Sequence, residues 1–200
     1  MSETPLSRAA IVDAAIAVLN DVGLEQVSLR KVAERLGVKA PSLYWYVEDK
    51  AALHALMSET VFRSCLDAMP ECSDWREWLC AYGRALWEAQ LSLRDAAKLI
   101  IIGGVHEERL RSLANEIADK LAQFGIEKQT ATVMQSSVQA LVTGWGAFQQ
   151  SSNAPFLNSI MSVEDEAMRS IEALVDGWST RVKSSSGRLK ASPAQAKNAK

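Results

Sequence analysis

The segment Pro41-Ser42-Leu43-Tyr44-Trp45-Tyr46 puts a hydroxyl and three aromatic rings in close succession, and Arg30, Lys31, Arg35, Lys39 and Lys50 surround it. Side chains of these types suit the recognition of an anionic polymer better than the making of bonds. A guanidinium such as that of Arg30 reaches a guanine edge with two hydrogen bonds, and ammonium and hydroxyl groups grip phosphates without reading sequence. Consecutive positions of a helix point about 100° apart, so Tyr44, Trp45 and Tyr46 cannot all enter one core and at least one ring must face outward. Between Ser28 and Lys50 the acids Glu34, Glu48 and Asp49 leave two positive charges in excess, although the whole chain carries a net charge of -2. The local balance decides where a polyanion settles.

Such a segment needs bracing. Ile11, Ala15, Val18, Leu19 and Val22 recur at helical spacing, which predicts a first helix over 7–22 with Ser7 as its cap and Gly23 as its stop. Leu29, Val32, Ala33 and Leu36 share one face of a second helix that ends at Gly37, and a third is expected over 41–46, opened by Pro41. Lys50 follows the capping Asp49, where ammonium and backbone amides together could hold a phosphate. A fourth helix, over 50–66, should link this head to a body.

The body reads as helices throughout. Asp74-Trp75-Arg76-Glu77 is a capping box with a carboxylate cap, followed by the stripe Trp78, Leu79, Tyr82, Leu86, Ala89 and Leu93. A bend and a short helix within 91–102, a helix over 107–124, a long one over 128–150, a loop at 151–155 and a last helix over 162–182 complete the pattern. From Lys183 onward the chain holds five basic residues and no acid among Ser, Ala and Gly, a composition that predicts disorder. No strand alternation appears, so the class is all-α, with a three-helix, homeodomain-like helix-turn-helix head and a helical body. The expected boundaries are 1–50 for the head, 51–66 for the linking helix, 67–183 for the body and 184–200 for the tail.

Other chemistries lack their residues. Cys65, Cys72 and Cys80 have no metal-ligand spacing, and neither His54 near Glu59 nor His106 beside Glu107 falls in a catalytic motif, so no metal, cofactor or enzymatic activity is expected. No apolar run is long enough to span a bilayer and no leader is evident, which predicts a cytoplasmic protein without a membrane partner. A helical interaction module that ignores DNA is the competing reading, with a small helical enzyme behind it.

Residues 7–66, and above all SLRKVAERLGVKAPSLYWYVEDKAALHAL, resemble the DNA-binding head of the tetracycline-repressor (TetR) family. The resemblance rests on the serine before the bracing helix, the Ala33-x-x-Leu36-Gly37 run, the proline, hydroxyl, leucine, tyrosine and tryptophan that follow, and Lys50. It implies a homodimer that binds double-stranded operator DNA and a small-molecule effector. It also implies groove or phosphate contacts at Arg30, Ala40, Ser42, Tyr44, Tyr46 and Lys50, joined by Lys39 from the basic set, with Leu43 and Trp45 supporting the head's core.

Two departures concern the operator. The tetracycline repressors carry glutamine where this chain has Ala40 and histidine where it has Tyr46, so a different base sequence should be read. In the body, Arg94-Asp95-Ala96-Ala97-Lys98 still resembles the family, but Ile100 stands where those repressors place a magnesium-binding histidine, and their acidic magnesium partner falls near Phe148. Apolar groups cannot ligate a hard cation. The expected effector is therefore a neutral hydrophobic or aromatic molecule held by Trp78, Tyr82, Leu86, Gln90, Ile100, Met134, Ser137 and Val138, with Gln135 as a further polar group. By the same resemblance the two long helices should pair with those of a second copy through Val142, Trp145, Gly146, Phe148, Ile171, Leu174 and Trp178, Gly144 aiding close approach.

Overall fold

The computed structural model describes residues 6–102 and 107–189, with side chains described for 6–102 and 111–182, and every regular element among them is helical. Helix α1 (Arg8–Val22) starts at Ser7, whose hydroxyl accepts from the Ala10 N–H at 3.1 Å, and stops at Gly23, where φ is +83°. A 3-10 turn, Leu24–Gln26, leads to Ser28, which caps α2 (Leu29–Leu36) by accepting from the Lys31 N–H. Gly37 then adopts the left-handed conformation and lets the Val38 N–H reach back to the Ala33 carbonyl.

The next segment differs from expectation. Ala40–Trp45 is a 3-10 helix, not an α-helix over 41–46. Six residues are too few to repay α-helix nucleation, and Pro41 offers no N–H to an α ladder. Tighter bonds close it instead, from the Ser42 N–H to the Lys39 carbonyl and from the Tyr46 N–H to the Leu43 carbonyl.

Asp49 caps α3 (Lys50–Asp67), accepting from the Ala52 N–H at 2.7 Å. Asp74 caps α4 (Trp75–Ser92) through the Arg76 and Glu77 amides, while the Glu77 carboxylate accepts from the amide and hydroxyl of Ser73. There follow α5 (Ala96–Ile102), α6 (Glu107–Ala122), α7 (Lys128–Gln149), α8 (Ala154–Ile160) and α9 (Val163–Leu189). Helix α8 replaces part of the loop expected at 151–155: Pro155 sits in its first turn, where a missing N–H has no partner to lose. The last helix also runs six residues beyond Lys183, where disorder was expected, because adding a residue to a formed helix gains a bond without a new nucleus. The rest of the expected disordered tail, 190–200, lies outside the described residues, as do residues 103–106.

One apolar core runs from head to body. Ile11, Leu19, Val32 and Leu43 fill the head, Leu53 and Met57 of α3 continue it, and Leu79, Leu86, Leu99 and Val138 extend it into the body. Helix α4 crosses α7 and α9 at Gly83, where a Cβ would fall 2.8 Å from Ile171 Cδ1 and 3.1 Å from Val138 Cγ1. That approach sets the spacing of the layer behind the cavity described next. No helix among the described residues is long and apolar enough to cross a membrane.

Candidate nucleic-acid interface and effector cavity

The 3-10 geometry decides which rings are presented. With three residues per turn, Leu43 faces inward and is fully buried, Val47 follows it into the core, and the two residues after Leu43 point away. Tyr44 is 58% exposed and Trp45 91%; Tyr46, which nearly eclipses Leu43, is 36% exposed. The expectation that Trp45 supports the head's core is thus corrected: Leu43 and Val47 do so, and Trp45 is the most solvent-facing of the three rings. That expectation came with the family resemblance; two residues after the buried Leu43, a side chain points away from it on an α-helix as on a 3-10 helix.

Arg30 and Lys39 are exposed, Ser42 and Ala40 partly so. Arg30 forms an exposed ion pair with Glu34 at 3.0 Å, so its fork must leave that carboxylate to reach a base. Lys50 Nζ donates to the Glu25 carbonyl at 2.9 Å and ties the start of α3 to the turn after α1. Arg35 braces α2 against α1 through Asp21 at 2.6 Å.

The main cavity of the body, about 640 Å³, lies between α3, α4, α5, α6 and α7. Of the residues expected to hold an effector, Tyr82 and Ile100 line it, and Gln135 does so as well. Trp78, Leu86, Met134 and Val138 are buried but are not among the lining residues; they form the packed layer behind it. Gln90 is buried next to Gly146 and directs its amide toward Thr143, and the Ser137 hydroxyl donates to its own helix at Val133. The wall is completed by residues that were not expected to touch an effector, among them Phe62, Leu113, Ile117, Gln139 and Thr143. Five helices contribute one to seven residues each, and no stripe on any one of them announces a cavity.

Two polar atoms at this wall lack partners. Tyr82 is fully buried, its ring stacked on Trp78 at 5.3 Å, and its hydroxyl makes no hydrogen bond; burial pushes the phenol above its usual range, so it stays protonated. Gln135, 4% exposed, gives its amide N–H to Ser136 and leaves Oε1 unpaired. Among the described residues, none that lines the cavity carries a charge.

Beyond the cavity, polar contacts reach the head. Gln90 Nε2 lies 3.4 Å from the hydroxyl of Thr143, a lining residue, and the Gln150 amide donates to the Gln90 carbonyl at 2.6 Å. Just past the end of α4, the Arg94 N–H donates to Asn20 Oδ1 and its guanidinium to the Asp21 carbonyl, both at 3.1 Å. Asp95 adopts φ +54° and accepts from the Leu24 N–H at 3.0 Å; that bond, with Lys98 and Arg94 nearby, holds its carboxyl below the usual range. The α4–α5 joint therefore grips the end of α1. Arg94 and Asp95 were legible only as part of a familiar run.

The residues expected at a dimer contact divide in two. Val142, Gly146 and Ile171 are buried within this chain, and a Cβ on Gly146 would fall 2.4 Å from Gln90 Oε1, so they serve the chain's own packing and are withdrawn as interface residues. Phe148 is exposed, and Trp145, Leu174 and Trp178 are partly so, with Gly144 open to solvent. Both long helices have two apolar faces, and periodicity alone does not say which one turns inward.

The arrangement defines a class: an all-helical chain with a helix-turn-helix head gripped by a body that encloses an apolar cavity. The model of bacterial regulatory proteins of the tetR family matches residues 11–56. The chain is 36% identical to the class A tetracycline repressor protein from transposon 1721 of Escherichia coli over 98 residues, 48% of this chain and 45% of that protein. It is 38% identical to the class C tetracycline repressor protein of the same organism over 100 residues, 47% of this chain and 44% of that one. These matches span about half the length of either relative. A solved variant of TetR from Acinetobacter baumannii AYE, in complex with minocycline, superposes with a TM-score of 0.73 at 28% identity, covering 88% of this chain and 97% of that one. A regulator from Streptomyces coelicolor A3(2) shares the fold at a TM-score of 0.70 and 22% identity. In its head the chain is similar in sequence to the tetR-family regulatory proteins, and along its length it has the fold of the solved TetR.

Proposed function

We propose that this chain is a cytoplasmic, dimeric transcriptional regulator, a repressor released from a palindromic operator by a neutral, largely apolar effector. The observation that carries the reading is the outward presentation of Tyr44, Trp45 and Tyr46 from a segment anchored by Leu43 and Val47, flanked by Arg30 and Lys39. Rings and cations set on a rigid base fit a groove between phosphates. Arg30, Ser42, Tyr44 and Tyr46 are assigned groove and phosphate contacts, Trp45 joins them, and Ala40 offers only a methyl contact. Lys50 contributes field and holds the turn in place.

Two copies pack through the outer faces of α7 and α9, where Phe148, Trp145, Leu174 and Trp178 lie with exposed Gly177. Two-fold pairing sets the heads about one or more helical turns of DNA apart and requires a symmetric operator. An effector in the cavity favours one setting of α5 and α7; the α4–α5 joint carries the change to α1, and by reciprocity operator DNA weakens the effector equally. The departures at Ile100 and Phe148 argue against a magnesium-chelated ligand like that of the tetracycline repressors.

Selection of bound fragments from a random duplex pool, followed by sedimentation of the free protein, tests the reading. An inverted-repeat consensus and a dimer at micromolar concentration are expected. A monomer, or retention of no duplex at low ionic strength, would overturn it in favour of an interaction module.

A further inference from the structure

The cavity's polar atoms set the chemistry of what fills it. Buried hydrogen-bonding groups are almost always paired, and an orphan carries a desolvation penalty until something pairs it. The Tyr82 hydroxyl and Gln135 Oε1 are such orphans, on residues that line the same cavity from α4 and α7. One is a phenol kept protonated by burial, with a proton to give. The other can only accept, its own N–H groups being turned toward Ser136.

We propose that the effector is a neutral, flat, mostly apolar molecule bearing one hydrogen-bond acceptor and one donor, as in a lactam or secondary amide fused to an aromatic system, its carbonyl accepting from the Tyr82 hydroxyl and its N–H donating to Gln135 Oε1. This rests on reading the cavity as the effector site and narrows the ligand class. Apolar walls such as Phe62, Ile100 and Ile117 take the ring system. A carboxylate finds no cation among the described lining residues and pays desolvation, and a hydrocarbon leaves both orphans unpaired. A site built for a hydrogen bond rejects a ligand lacking it far more strongly than a greasy pocket rejects a missing methylene.

The test uses three matched tricyclic probes with the full-length protein: phenanthridinone, which has the acceptor–donor pair, phenanthrene, which has neither, and phenanthrene-9-carboxylate, which is charged. Titration calorimetry and thermal shift should rank the lactam first by about tenfold or more over the hydrocarbon, with the carboxylate last. Tyr82→Phe and Gln135→Leu should each remove about a tenfold share of the lactam's advantage and leave hydrocarbon affinity unchanged. The same two variants, relieved of an orphan, should melt no lower than the parent without ligand, which separates a binding role from a structural one. Equal affinity for lactam and hydrocarbon, preference for the carboxylate, no binding of any probe, or an advantage that survives both substitutions would each overturn the proposal. Operator binding by the unliganded chain is measured alongside. If it holds while the lactam fails, the ligand class is wrong and the regulator stands; if it is missing, the regulator reading fails first.

Discussion

Head and body solve opposite problems. In the head, the residues offered to a partner and those that hold them in place alternate within one short segment: Leu43 and Val47 buried, Tyr44, Trp45 and Tyr46 outward. In the body, the lining of the cavity is assembled from five helices, and the residues next to it in sequence are core. Tolerance should differ accordingly. The head's function is limited by surface chemistry that stability does not feel, and the body's by the distance between helices.

The strongest challenge to that contrast is at the α4 crossing. Gly83→Val should destabilise the fold by about 3 kcal/mol, the upper end for overpacking, because Ile171 and Val138 are held by neighbouring helices and cannot withdraw. Gly144→Ala, on α7 with nothing within 4 Å of its added Cβ, should gain up to about 1 kcal/mol from helix propensity. Denaturant melts compare them. Similar midpoints for the two variants would show that the crossing is not what limits the body.

The head predicts the reverse pattern. Trp45→Ala should leave the melting midpoint where it is, since the ring is 91% exposed, yet weaken operator binding by about 1–3 kcal/mol. Arg30→Ala should weaken it by a similar amount, about 1–3 kcal/mol, and relax one operator position, whereas Lys50→Ala should weaken all sequences together and lower the salt slope by roughly one. Gel shifts across a salt series separate these. A Trp45→Ala protein that melts early would mean that the ring is structural after all.

The same contrast explains what could be read from the sequence. Caps and stops at Ser7, Gly23, Ser28, Gly37, Asp49 and Asp74 were legible because each acts within four residues of itself. The family resemblance was concentrated there too. Trp45 was misplaced because its role was carried over with the family resemblance, although two residues after the buried Leu43 it points away from the core at three or at nearly four residues to a turn. Trp78, Leu86, Met134 and Val138 were assigned to the effector because a stripe marks burial, and burial against a cavity looks identical to burial against a neighbour. Val142, Gly146 and Ile171 failed for the parallel reason: a helix with two apolar faces does not say which one its own chain uses.

Between the two regions, the joint should show an intermediate effect. Asp95→Ala removes the acceptor of the Leu24 N–H and places a less tolerant residue at φ +54°, which should cost about 1–2 kcal/mol. Hydrogen exchange should rise at the end of α1 and around Leu24, with the cavity end of α7 unchanged. If operator affinity and its response to effector both stay at parental values, the α4–α5 joint is a support and does not transmit.

The smallest effect expected is one of pH, and it comes from α3, which belongs to both regions. His54 is buried with Nε2 unpaired, and burial, helped by Lys50 one turn before it, pushes its pKa below the usual histidine value. In the unfolded chain the imidazole binds its proton near pH 6.5, while in the fold it resists doing so. The unfolded state therefore binds more protons below that pH, and stability must fall as the solution is acidified from about 7 toward 5. The depressed Asp95 carboxyl acts in the same direction but only below the ordinary carboxylate range, near pH 4 and under, so the two windows separate. His54→Gln should flatten the melting midpoint between pH 7 and 5 and leave the steeper acid limb in place. Since α3 carries the core from Leu53 and Met57 into both regions, head and body probes should lose stability together in that window; a head that loosens alone would show that the shared core does not bind the two into one cooperative unit.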